Sequence, residues 1–175
     1  QYEDDPEYLG LESHIADFAG LEYLKVDKTD RTIVLGAANA GIDTLIINGC
    51  GEANVTGMGY LTALKKLDLR DLTDSFSFTA PDHLPLKEVY LSNCKGDFVF
   101  GTGLPLTSFE AYTVGAITIK GADLLTELTV YETSGTLNLG SMQALETLMV
   151  TSTASKSVIF NYAGTDALSY PALKY

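Results

Sequence analysis

The groups of this 175-residue chain that could do covalent or proton-transfer chemistry are few: His14 and His83, Cys50 and Cys94, and 23 aspartates and glutamates. An activated serine or cysteine needs a base and an oxyanion donor within hydrogen-bond reach. None of the patterns that would bring such parts together, G-x-S-x-G, H-E-x-x-H, a P-loop, G-x-G-x-x-G or an EF-hand loop, occurs in the chain. His14 falls in an N-terminal segment and His83 in the turn-like stretch APDHLP, so no shared metal site, and no cofactor, is expected. Carboxylate pairs of the kind a glycosidase uses remain available among the acids. Asp68, Asp71 and Asp74 are spaced by three, but the glycine and terminal glutamate of a calcium loop are missing, and they are expected to be solvated charges. Asn54-Val55-Thr56 fits the N-glycosylation acceptor pattern and is expected to be an ordinary turn. The inventory points away from an enzyme.

Binding chemistry is better represented. Tyr90, Tyr112 and Tyr131 lie 22 and 19 residues apart, with Glu88, Glu110 and Glu127 close by in sequence. Tyrosine pairs a large apolar face with a hydroxyl and loses little rotamer entropy, so three of them side by side could stack on sugar rings or anchor a protein. Exposed strand tyrosines also stabilise a sheet by cross-strand pairing alone. A second set, Lys65, Lys66, Asp68, Arg70 and Asp71, could meet an acidic loop or form a solvated face. Both sets need an element with a period of about 20 residues, in the range of the short solenoid repeats, to assemble them.

Such a period runs along the chain. The pattern apolar-x-x-apolar-x-apolar occurs seven times, beginning at Leu21, Ile42, Leu64, Leu86, Leu106, Leu125 and Leu145, at intervals of 21, 22, 22, 20, 19 and 20 residues. The last apolar pair of each copy has the spacing of a strand. A second period-two signal follows some 12 to 14 residues later in each copy: Ile33/Leu35, Val55, Phe76/Phe78, Phe98/Phe100, Ile117/Ile119, Leu137/Leu139 and Val158/Phe160. Helical spacing is absent there, and β-branched and aromatic residues dominate, so the rear wall is expected to be extended. Gly36, Gly57, Gly101, Gly121 and Gly140 share one phase, 15 residues after the first apolar position, which predicts a recurring corner that uses glycine's positive φ.

The segments IDTLIINGC and LKEVYLSNC resemble the leucine-rich repeat motif L-x-x-L-x-L-x-x-N/C, over roughly residues 21–161. The short repeat without a helix is similar to bacterial surface leucine-rich repeats of the internalin-like and Bacteroidetes kinds. The ninth position departs from the family, holding Thr29, Cys50, Leu72, Cys94, Val114, Thr133 and Thr153, so a continuous asparagine ladder is not implied. The resemblance implies a protein-binding role.

The expected fold is a mainly β, right-handed solenoid of about seven 19–22-residue coils, with a parallel front sheet, extended back segments and a short N-terminal helical cap. One domain spans 1–175: an acidic cap at 1–20, the solenoid at 21–161 and a C-terminal cap at 162–175. The N-terminal helix would start at Asp5-Pro6, with Tyr8, Leu11, Ile15 and Phe18 on one face. At about 4.8 Å per step, seven coils make a weakly curved rod some 29 Å long. Cys50 and Cys94 fall at one repeat position two coils apart, about 9.6 Å by strand spacing, beyond the roughly 7 Å a disulfide spans, so free thiols are expected.

Charge narrows the partners. Eleven lysines and arginines against 23 acids give −12, which repels nucleic acid and anionic bilayers. No run of 18 apolar residues is present, so no membrane insertion is expected. The chain opens on Gln1 without a targeting segment, which favours an exported, extracellular or cell-surface protein whose leader has been removed. In a solenoid strand the residues between the inward apolar ones face out, which assigns the binding face to Tyr90, Tyr112, Tyr131, Glu88, Glu110 and Glu127, with Lys66, Asp68 and Arg70 beside them. The expected function is non-catalytic recognition of a protein through the front sheet by a monomer. The alternatives are a carbohydrate-binding module using the three tyrosines and, more distantly, a polysaccharide-acting β-solenoid enzyme.

Overall fold

The computed structural model describes residues 15–28, 32–49, 55–72 and 76–151, and the backbone of 158–160. Residues 5–14 of the expected N-terminal helix, the C-terminal cap, His14, Cys50, Asn54 and Asp74 lie outside the described residues.

The chain is a β-solenoid of about six turns. Odd-numbered strands form the front: β1 (Tyr23–Asp27), β3 (Thr44–Asn48), β5 (Lys66–Arg70), β7 (Glu88–Cys94), β9 (Ser108–Val114), β11 (Glu127–Thr133) and β13 (Thr147–Thr151). Even-numbered strands form the back: β2 (Ile33–Val34), β4 (Val55–Thr56), β6 (Phe78–Ala80), β8 (Phe98–Phe100), β10 (Ile117–Gly121), β12 (Leu137–Ser141) and β14 (Val158–Phe160). The front strands make one sheet in the order β1-β3-β5-β7-β9-β11-β13, while the back divides into a β2-β4 pair and a five-stranded sheet from β6 to β14. Every pairing is parallel.

Register follows the apolar repeat. Leu24, Leu45, Leu67, Val89, Phe109, Leu128 and Leu148 stand in one row of the front sheet. A slip by one residue would turn every one of them to solvent, which is why the pattern fixes the pairing. The core lies between the two sheets, where Leu67, Leu69, Leu91, Phe98, Phe100, Phe109, Ile117, Leu128 and Leu139 are fully buried. The edge-on contact of Phe100 with Phe109 at 5.1 Å ties the back wall to the front, and that of Phe78 with Phe100 at 6.1 Å links neighbouring coils of the back wall. Each buried side chain of this size contributes about 1.5–3 kcal/mol, spread along the stack and not gathered at one centre. At the described ends, Leu24 and Val26 on β1 and Leu148 and Val150 on β13 are only partly buried.

Three local expectations need correction. In the third coil the back-strand pair is Phe78/Ala80, paired with Phe98/Phe100, and not Phe76/Phe78. Phe76 is still buried and meets Phe98 at 6.2 Å, so hydrophobicity alone could not distinguish the two registers. In the first two coils the back is extended as expected, at β2 and β4, and each of these strands is followed by a short 3-10 turn, Ala37–Asn39 and Met58–Tyr60. Asn39 in the first of these is fully buried. Its amide accepts from Gly36 N at 2.9 Å and donates to the carbonyls of Ile15 at 2.9 Å and Phe18 at 3.1 Å, joining the turn at Ile15–Asp17 to the stack. Phe18, expected on a buried helix face, is 46% exposed, because the Ile15–Asp17 turn carries it past the core.

The third correction concerns glycine. Of the five in-phase glycines only Gly57 has positive φ, at 79°. What Gly57, Gly101 and Gly140 share is that a Cβ would run into the neighbouring coil: the Leu35 carbonyl, Asp82 and the Lys120 carbonyl. Phase in sequence is also not register in space. Phe100, Ile119 and Leu139 are aligned, which sets Gly101 beside Lys120 and Gly140, while Gly121 falls one residue on, opposite Ser141.

The left-handed conformation occurs elsewhere. Lys28, Gly49, Asp71, Asn93, Thr113 and Glu132, the eighth residue of six successive coils, all have φ between 52° and 64°. Such a residue breaks the in-out alternation: Ser92 and Asn93 both face outward and Cys94 turns in again, with the same pattern at Tyr112, Thr113 and Val114. Left-handed backbone is unfavourable for L-residues by about 1–2 kcal/mol, and the stack offsets it with bonds between coils. Lys28 N donates to Asn48 O, Gly49 N to Arg70 O and Asp71 N to Ser92 O at 2.8–3.0 Å.

Candidate functional site

The front sheet turns three outward columns to solvent. The third position of each coil carries Tyr23, Thr44, Lys66, Glu88, Ser108, Glu127 and Thr147. The fifth carries Lys25, Ile46, Asp68, Tyr90, Glu110, Thr129 and Met149, and the seventh Asp27, Asn48, Arg70, Ser92, Tyr112, Tyr131 and Thr151.

These columns bring the three tyrosines together. Tyr112 and Tyr131 are direct cross-strand partners, with ring centroids 6.4 Å apart and planes inclined by 37°. Tyr90 stands diagonally, since its own partner is Glu110, yet its ring lies 5.7 Å from that of Tyr112 at 39°. Diagonal neighbours on a sheet are within reach of aromatic side chains. The row has a charged end: the Arg70 guanidinium sits 4.5 Å from the centre of the Tyr90 ring, inside the range of a cation–π contact. Arg70 in turn grips Asp68 with both carboxylate oxygens engaged, Nε to Oδ1 at 2.7 Å and Nη2 to Oδ2 at 2.8 Å, the bidentate geometry that arginine favours. The ladder therefore runs Asp68, Arg70, Tyr90, Tyr112, Tyr131 across four strands.

Asp68 corrects the expectation of a solvated charge. It is 7% exposed although it points outward, because the Arg70 head covers it. The hydrogen bond that Arg70 donates to Asp68 holds its guanidinium pKa above the usual value. Lys65 and Lys66 do not present free ammonium groups to an acidic loop either. Lys65 pairs with Asp43 at 3.2 Å and Lys66 with Glu88 at 2.8 Å, and the bond Lys66 donates to Glu88 raises the Lys66 pKa. Glu88 is thus engaged away from the tyrosines. Glu110 accepts from the Tyr112 hydroxyl at 3.2 Å. Burial, then that bond, pushes the Tyr112 phenol pKa up. Glu127 is exposed on the third column.

The ninth position has a role that sequence comparison with an asparagine ladder missed. The Cys94 thiol donates to the carbonyls of Ser92 at 3.2 Å and Leu69 at 3.3 Å, and Thr133 Oγ1 to Gly115 O at 2.6 Å. Cysteine, which the leucine-rich repeat motif also allows, and threonine thus satisfy coil backbone at the position where an asparagine ladder would. Cys94 is free and buried, and burial raises its pKa. His83 occupies a left-handed turn position, φ 60°, against Gly103 and away from the front columns. Among the described residues no three His, Cys, Asp or Glu side chains group as metal ligands, and no helix is long and apolar enough to cross a membrane.

The left-handed eighth position was missed in the sequence, although Gly49, Asp71 and Asn93 share its phase and are the residue types that tolerate it best. Compared with protein-family models, curated proteins and solved structures, the chain gives no match.

Proposed function

We propose that this chain is a non-catalytic recognition module, secreted or displayed at a cell surface, that binds a protein partner through its front sheet with Tyr112 and Tyr131 at the centre of the contact. The observation that carries this reading is the ordered tyrosine row, whose last ring, Tyr131, is left 45% exposed. Tyrosine and arginine are the residues over-represented at interface anchors, and here the rings are already braced by Arg70 and Glu110, so little side-chain entropy is lost on contact. The resemblance of the front strands to leucine-rich repeats points the same way.

A carbohydrate-binding module is the second reading, favoured by exposed aromatic rings with carboxylates alongside. It is weaker because sugar stacking needs free ring faces. Tyr90 is shared by Arg70 and Tyr112, and Tyr112 is flanked by rings on both sides.

The test runs a random peptide display selection and a glycan array in parallel. It compares the native chain, the Tyr112→Ala/Tyr131→Ala variant and a back-face control, Thr118→Ala/Asn138→Ala. Peptides bound by the native chain and the control but lost in the tyrosine variant support the protein-binding reading. Glycans with that profile replace it by the second, and no tyrosine-dependent ligand of either class overturns both.

A further inference from the structure

The charges of the front face are unevenly matched along the stack. Among the described residues every side-chain ion pair, Lys25–Asp27, Lys65–Asp43, Lys66–Glu88 and Arg70–Asp68, lies between the first and fourth coils. From residue 101 to 151 the sequence holds one cation, Lys120, against Glu110, Asp123, Glu127, Glu132 and Glu146, so 1 − 5 = −4. Lys120 is on the back strand β10. Around Tyr112 and Tyr131 stand Glu110, bonded to the Tyr112 hydroxyl, and Glu132, bonded to the Thr113 hydroxyl at 3.4 Å. Glu127 lies four residues before Tyr131 on the same strand, about 13 Å along it, and adds a third carboxylate to this end of the face.

The same row shows what such rings accept. Arg70 has its guanidinium on Tyr90 and its two edges on Asp68, so an aromatic face and a carboxylate together already hold one arginine. At the other end Tyr131 is followed in its column by Thr151 and in the neighbouring column by Met149, neither of which carries charge.

Resting on the reading of the front sheet as a protein-binding face, we infer that the partner is basic and presents arginine to the Tyr112–Tyr131 end, its guanidinium on the open face of Tyr131 with Glu110 and Glu132 nearby and Glu127 adding to the negative field from farther along β11. Ring and carboxylates act together: the cation–π contact fixes the site, while the net negative charge of this end steers a cationic partner toward it and repels an acidic one.

The peptides selected for tyrosine-dependent binding test the inference directly. Their sequences are expected to be enriched in arginine, and then lysine, over the unselected library. Replacing the key arginine by citrulline, or Tyr131 by leucine, is expected to weaken binding about two- to fivefold. Tyr131→Phe keeps the ring and is expected to keep affinity, and Glu127→Gln is expected to flatten the dependence on salt. Circular dichroism and melting of each variant separate lost contact from lost fold. Tyrosine-dependent peptides without basic enrichment overturn a basic partner and leave the protein-binding face standing. Basic peptides that Tyr131→Leu binds as well as the native chain also overturn it, since attraction to net charge then accounts for them. A selection with no tyrosine-dependent peptide overturns both.

Discussion

Gly121 and Gly140 have the same phase in the repeat, and the same substitution is expected to act on them with opposite sign. Replacing glycine by alanine restricts the unfolded chain and stabilises by about 0.4–1 kcal/mol where the native backbone allows it. Gly121 allows it: its φ is not in the left-handed range, and the nearest atom to an added Cβ is the Ser141 carbonyl oxygen at 3.7 Å, ordinary contact. Gly121→Ala is therefore expected to raise the melting temperature by roughly 1–4 °C, at about 2–4 °C per kcal/mol for a chain of this size. At Gly140 the added carbon overlaps the Lys120 carbonyl, which is backbone held in the β10–β12 pairing and unable to swing aside. Overpacking of that kind costs about 1–3 kcal/mol, so after the entropic gain Gly140→Ala is expected to lose roughly 1–2 kcal/mol net. Urea unfolding followed by circular dichroism, with the m-value checked for constancy, measures both. Equal stability of the two variants, or a Gly140→Ala protein at least as stable as the native chain, would refute the account of glycine as room for the adjacent coil.

Phe100→Ala empties a fully buried site against Phe78 and Phe109 and is expected to cost about 3–5 kcal/mol, read from the same urea curves. Cys94, buried with its pKa raised chiefly by that burial, is expected to resist a thiol reagent in a Cys50→Ser background at neutral pH and to react fully in denaturant. In a spectrophotometric titration Tyr112 is expected to ionise above the normal tyrosine range, and Glu110→Gln to bring its titration partly back down. The sign follows from the raised folded pKa. The contribution to stability is complete below the unfolded tyrosine value near 10 and is lost as pH rises through the folded one. Partial return is expected because burial, the first cause, remains.

What the sequence made legible was whatever has a period. The seven apolar triads predicted the front strands and their register, and with them the columns that bring Tyr112 beside Tyr131. The diagonal approach of Tyr90 also follows from the columns, because its ring reaches across one step. Less legible was anything decided by a contact between coils. Phe76 and Phe78 are equally apolar, and only the pairing with Phe98 tells which one is in the strand. Asp68 reads as an exposed charge until Arg70 is seen folded over it. Glycine was found in phase but for the wrong reason, since backbone proximity between coils leaves no mark in the sequence beyond the small residue itself. The left-handed column left a partial trace at Gly49, Asp71 and Asn93, obscured by Lys28, Thr113 and Glu132, which stacking holds in the same conformation.

That column has a consequence for how the chain reaches its fold. The N–H of a left-handed corner bonds to the coil that follows it, as Lys28 does to Asn48 and Asp71 to Ser92, so one coil's corner is completed when the next has docked. Partners throughout the front sheet are separated by one repeat, 19 to 22 residues, and a separation of about 20 in 175 gives a relative contact order of about 0.11. That value is below the range of sandwiches and barrels, where distant strands must meet before any pairing is rewarded. A mainly β chain built this way is expected to assemble coil by coil, and its refolding rate is expected to exceed that of sandwiches and barrels of similar size.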